Sequence, residues 1–110
     1  MLLLLASSAF AGVLINEVYY DPSPEEDNGN EWIELCNNGT ESVDLTGWTV
    51  ESGGSAFGKS FTLGSLTIAP GEYWVIGGAI GDLTGAFSPN LQNGGSETDG
   101  VRVKDATGGV

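Results

Sequence analysis

Histidine is absent from this chain. Its absence removes the commonest general base and a principal zinc ligand from any mechanism the chain could run. Cysteine occurs once, at Cys36, so no intramolecular disulfide can form and the fold must rest on its apolar core. Cys36 has no histidine partner and no adjacent base, which argues against a thiol nucleophile and leaves it as a half-buried strand residue. Bases are as scarce: three Lys and Arg stand against fifteen Asp and Glu, for a net charge of -12. A surface of that sign repels nucleic-acid phosphates and anionic membranes, so nucleic acid is not an expected partner. It favours cations, basic partners or plain solubility. The continuous leucine run, residues 2–5, is too short to cross a bilayer as a helix. No stretch carries a helical apolar period, and no phosphate-binding glycine pattern occurs.

What is present is a 110-residue chain, one domain long, that is 40% hydrophobic and holds 18 glycines without a G-X-Y repeat. That is a turn-rich, all-β composition rather than a disordered acidic tail. Residues 1–11 read differently from the rest. Four leucines are followed by small residues, and Ala9-Phe10-Ala11 forms an A-x-A cleavage pattern. The expectation is a signal peptide over 1–11, cut between Ala11 and Gly12, with a domain over 12–110. The protein is then secreted or at the cell surface, with no membrane span after cleavage. The basic n-region is missing, and the competing reading is a first strand with an apolar leader. The switch to small residues just before the strand favours export.

Strand signals follow at short intervals. Residues 13–20 are β-branched and aromatic, with a parity slip between Ile15 and Val18 that a bulge near Asn16-Glu17 would repair. Residues 21–30, DPSPEEDNGN, form a polar loop. Residues 31–36 alternate, with Ile33 and Leu35 on one face and Trp32, Glu34 and Cys36 on the other. Asn38-Gly39 suits the positive-φ positions of a tight hairpin. Residues 43–51 read as one third strand whose parity shifts at Gly47 so that Trp48 and Val50 face the core. Residues 61–63 and 66–68 are short strands, and Pro70-Gly71 is a type II turn signal. Residues 72–76 are apolar on both faces, which suits a central strand. Residues 77–99 form a long loop anchored by Ala86-Phe87. Val101 and Val103 then alternate with Arg102 and Lys104 before a turn at 105–109.

The ordered set INEVYYDP (15–22), EWIELCNNG (31–39), VDLTGW (43–48) and IAPGEYWVI (68–76) resembles the lamin tail domain. The late residues LQNGG (91–95) through VRV (101–103), then the turn at 105–108, resemble that family's late asparagine-glycine loop and penultimate strand. The resemblance covers residues 13–110 and implies an immunoglobulin-like β-sandwich. Family members continue past this turn with another strand, so the sandwich is expected to lack its last strand here. Bacterial members commonly carry tyrosine where Cys36 stands. Exported bacterial members occur alone, repeated, or beside secreted nucleases and other hydrolases. The resemblance therefore implies a non-catalytic binding or structural module for a protein or cell-surface partner. The alternative is an accessory targeting domain of a secreted nuclease or phosphoesterase whose catalytic part lies beyond residue 110.

No catalytic constellation emerges from the residues themselves. Glu31 and Glu34 are three apart on a strand, so they point to opposite faces and cannot flank one bond. The candidate metal site is the acidic loop, where Asp21, Glu25, Glu26, Asp27 and Glu31 could offer oxygens to calcium. Its spacing is not that of an EF-hand, and a solvated loop is the competing reading. Trp32, Trp48 and Trp74 could line a sugar-binding surface. Packing is the competing role for all three, with Trp32 expected to be the most exposed.

Overall fold

The computed structural model describes residues 12–20, 30–78, 81–83, 91 and 99–110. Among the described residues eight strands are assigned: β1 (Val13–Tyr19), β2 (Trp32–Asn37), β3 (Val43–Asp44), β4 (Thr49–Gly53), β5 (Lys59–Thr62), β6 (Thr67–Ile68), β7 (Tyr73–Gly77) and β8 (Gly100–Lys104). They form two three-stranded antiparallel sheets, ordered β1-β2-β7 and β5-β4-β8, with β3 and β6 as a separate antiparallel pair. This is the all-β, immunoglobulin-like sandwich that the strand pattern implies.

The inner faces follow from the period of two. In β2, Ile33 and Leu35 are fully buried, and across the ladder Ile33 meets Ile76 while Leu35 meets Trp74. In the other sheet Val50 is buried between Phe61 and Val103. Leu45, Leu63, Ile68 and Leu91 complete one continuous core. Truncating such a residue to alanine costs about 2–5 kcal/mol, so these few side chains dominate stability.

β1 reaches this core through a bulge. Its pairing with β2 shifts between Ile15 and Glu17, where the sequence parity slips. The extra residue lets Ile15 and Val18 both pack inward, and it places Asn16 and Glu17 together on the outer side.

Four local expectations are corrected. Residues 43–51 are two strands, not one. Thr46-Gly47 is a turn in which Trp48 N–H donates to Leu45 O (2.9 Å), and Gly47 holds φ 81°. A turn of that kind needs glycine at its positive-φ position, and it carries the chain from the β3–β6 pair into the second sheet. Next, neither Asn38 nor Gly39 has positive φ. The reversal after β2 is instead built by the Asn37 side chain, whose Oδ1 accepts from Gly39 N–H (2.9 Å). Third, among the described strands β2 is the centre of its sheet and β7 an edge. The edge of β7 is capped: Asp82 Oδ2 accepts from Val75 N–H (2.8 Å), and Val75 O accepts from Asp82 N–H (2.7 Å). Such capping leaves no free ladder at Val75 for another chain to join. Fourth, Cys36 is buried, not half-buried. Ala86-Phe87 lies outside the described residues, and the described anchors of the long loop are Leu83, bridged to Ile76, and fully buried Leu91.

The Pro70-Gly71 turn is as expected: Gly71 has φ 77° and Glu72 N–H donates to Ala69 O at 3.0 Å.

Candidate functional site

Of the calcium candidates, Asp21, Glu25, Glu26 and Asp27 lie outside the described residues, as does Ala11 of the expected cleavage site. Glu31 is described and is fully buried. Its carboxylate accepts from Leu91 N–H, and its carbonyl from Gly78 N–H at 3.1 Å, so it ties two loop segments to the start of β2. Among the described residues no group of three or more His, Cys, Asp or Glu is placed to hold a metal. Trp48 and Trp74 pack against the core. Trp74 also donates its indole N–H to Glu72 (2.7 Å). Trp32 stacks on Tyr19 instead, with ring centroids 5.6 Å apart and planes 26° apart.

That stack opens the outer face of the β1-β2-β7 sheet. The ladder sets three rows across it. Tyr19 pairs with Trp32 at one end, Glu17 with Glu34 in the middle beside Val75, and Leu14 with Cys36 and Tyr73 at the other end. Leu14 is 46% exposed, Tyr19 44% and Tyr73 57%, three of the five large apolar side chains most open to solvent among the described residues. The middle row sets two carboxylates directly opposite each other, an arrangement that destabilises an antiparallel pair. Asn16 softens it by donating to Glu34 Oε1 (2.8 Å).

The outer face of the β5-β4-β8 sheet has the opposite character. Glu51 pairs across strands with Arg102, whose Nε donates to Glu51 Oε2 at 2.6 Å, while Lys104 Nζ lies 3.5 Å from Oε1. The Arg102 guanidinium also sits 4.0 Å above the Phe57 ring. The hydrogen bond from Arg102 outweighs desolvation and, with the charges of both cations, holds the Glu51 carboxyl below its ordinary value. Asp44 and Asp105 are lowered as well, chiefly by the hydroxyls of Thr46 and Thr107 and then by backbone N–H groups. Both close turns of the form Asp-x-Thr-Gly, at 44–47 and 105–108. They are structural carboxylates.

One residue was missed for what it does. Asn37, buried at the end of β2, donates to Glu41 O (2.7 Å) and Ile68 O (3.0 Å) besides accepting from Gly39 N–H. Its backbone adds bonds to Glu72 O and from Gly71 N–H. It joins the first sheet, the β3–β6 pair and the Pro70-Gly71 turn at one point. Its position among turn-forming residues disguised this role.

The architecture and its two dissimilar outer faces define an immunoglobulin-like module built for support or for binding. A family model places it further: the lamin tail domain model matches residues 6–110, nearly the whole chain. The chain belongs to the lamin tail domain family. No curated protein matches it.

Proposed function

We propose that this lamin-tail module is an exported, non-catalytic domain that engages a protein or cell-surface partner. One observation carries the binding role. The first sheet leaves Leu14, Tyr19 and Tyr73 in solvent on one face, whereas the second sheet pairs its carboxylate Glu51 with Arg102 and Lys104 and covers Phe57 with Arg102. Exposed aromatic surface of this kind marks recognition sites on soluble domains. Export is supported by the leucine run and the A-x-A pattern ahead of Gly12. The net charge of -12 supports a partner other than nucleic acid.

Two measurements test the reading. The chain is expressed in an export-competent bacterial host, and the N-terminus of the extracytoplasmic product is sequenced. Product beginning at Gly12 supports export; an intact Met1 retained in the cytoplasm refutes it. The purified chain is also assayed on single- and double-stranded DNA, RNA and a phosphodiester ester, with and without divalent metals. Turnover that co-purifies with the domain through successive columns would refute the non-catalytic reading.

A further inference from the structure

We propose that the outer face of the β1-β2-β7 sheet is the docking surface, and that its occupant is an extended protein segment with basic side chains at its centre and apolar side chains at its ends. The inference rests on the binding role argued above and names the chemistry of its partner.

Charge complementarity selects the occupant. The bulge at Asn16 brings Glu17 opposite Glu34 on the exposed side of the sheet. Among the described residues no cation pairs with either. Arg102 and Lys104 are both held by Glu51 on the opposite sheet. A neutral ligand such as an oligosaccharide leaves this like-charge opposition unrelieved. A second copy of the chain, also at -12, intensifies it. A small cation relieves it but covers none of the aromatic surface. Lysine or arginine of a partner does both. Its charge sits between the carboxylates, and its neighbours lie against Tyr19 and Trp32 on one side and Leu14 and Tyr73 on the other. The aromatic rings flanking the centre also favour cations over their faces.

The spacing sets the size of the segment. Leu14 and Tyr19 are five strand steps apart, roughly 17 Å. An extended peptide of about six or seven residues spans that distance and presents every second side chain to the face. The chemistry is therefore apolar, basic, basic, apolar at alternate positions.

The test uses the full chain labelled with nitrogen-15 and the peptide acetyl-Leu-Thr-Lys-Thr-Lys-Thr-Leu-amide. Titration to about 1 mM is followed by amide and indole chemical shifts, a range suited to weak recognition. The expected result is saturable shifts confined to residues 14–19, 32–36 and 73–75, with affinity that falls as salt rises. The same peptide with both lysines changed to glutamate is expected to leave the face unperturbed. Glu17→Gln with Glu34→Gln is expected to weaken binding about tenfold while the spectrum stays dispersed. Tyr19→Ser, a change at an exposed position, is a second variant and is also expected to weaken it.

The proposal is overturned if the basic peptide shifts no resonance on this face, or if the acidic peptide binds equally well. It is also overturned if a cello-oligosaccharide, or raised protein concentration alone, moves these resonances while the basic peptide does not. In that last case the partner assignment falls and the binding role stands. If peptide, oligosaccharide and self-association all leave every resonance in place, both fall.

Discussion

The two outer faces of the sandwich carry the same kind of position with opposite occupants. At the middle of one sheet Glu17 faces Glu34; at the middle of the other Glu51 faces Arg102. The second face is internally matched, with its carboxylate hydrogen-bonded, its ring covered by a guanidinium and a second cation close by. The first keeps a repulsive pair and three exposed apolar side chains. Both stand on one core, so the difference is not one of fold. The difference lies in pairing: one face closes its own interactions, and the other leaves a like-charge pair and apolar side chains in solvent.

The largest expected effect comes from the junction at the end of β2, which ties the first sheet to the β3–β6 pair. Asn37→Ala strips two donors and an acceptor from buried or half-buried backbone groups and is expected to cost roughly 2–4 kcal/mol of stability, read by urea denaturation. A cost below about 0.5 kcal/mol would show that the β3–β6 pair does not depend on it.

Acid comes next. Glu51, Asp44 and Asp105 are all held below their ordinary values, 4.5 for the first and 3.8 for the other two. A lowered folded-state value means the stabilisation is fully present above the ordinary value and lost as pH falls through the folded one. Melting temperature is therefore expected to hold above about pH 5 and to drop steadily below it. Arg102→Ala should flatten the part of that slope due to Glu51. An unchanged acid slope in the variant would show that the Glu51–Arg102 pair contributes nothing to stability in acid.

At neutral pH, Arg102→Ala is expected to destabilise the domain by about 0.5–1 kcal/mol through the lost ring contact. The broken ion pair adds to this. The mirror experiment on the other face has the opposite sign. Glu34→Lys sets a cation opposite Glu17 and is expected to stabilise the domain by about 0.2–1 kcal/mol. It should also abolish binding of the basic peptide. Salt separates the two faces further: screening should raise stability where Glu17 meets Glu34 and lower it where Glu51 meets Arg102. A variant on each face, melted at about 0.05 and 0.5 M salt, reads those two slopes.

Much of this was legible in the residues. The bulge in β1 showed as a parity slip between Ile15 and Val18, because a period of two exposes any inserted residue. Proline and glycine at 70–71 announced their turn, since each fixes its own φ. Of the apolar positions in the family motifs, Ile33, Leu35 and Leu45 are buried, and Ile15, Val18 and Trp48 pack partly buried against them. The reversal after β2 was misread because Asn-Gly usually signals a positive-φ hairpin, whereas here the Asn37 side chain does the turning. Residues 43–51 read as continuous because the parity shift at Gly47 fits an irregularity within one strand as well as it fits the turn at which the chain changes partners.

The β class, the alternation that fills the core, the acidic charge and the absence of histidine chemistry are all written in the residues themselves. These depend on residue type and on spacing a few residues long. Which carboxylate meets a cation is set by the folded chain alone. Glu51 and Arg102 are fifty-one residues apart, and Glu17 and Glu34 seventeen, yet each pair is set side by side by a ladder. Cross-strand neighbours are chosen by sheet order and register, and no local pattern encodes either.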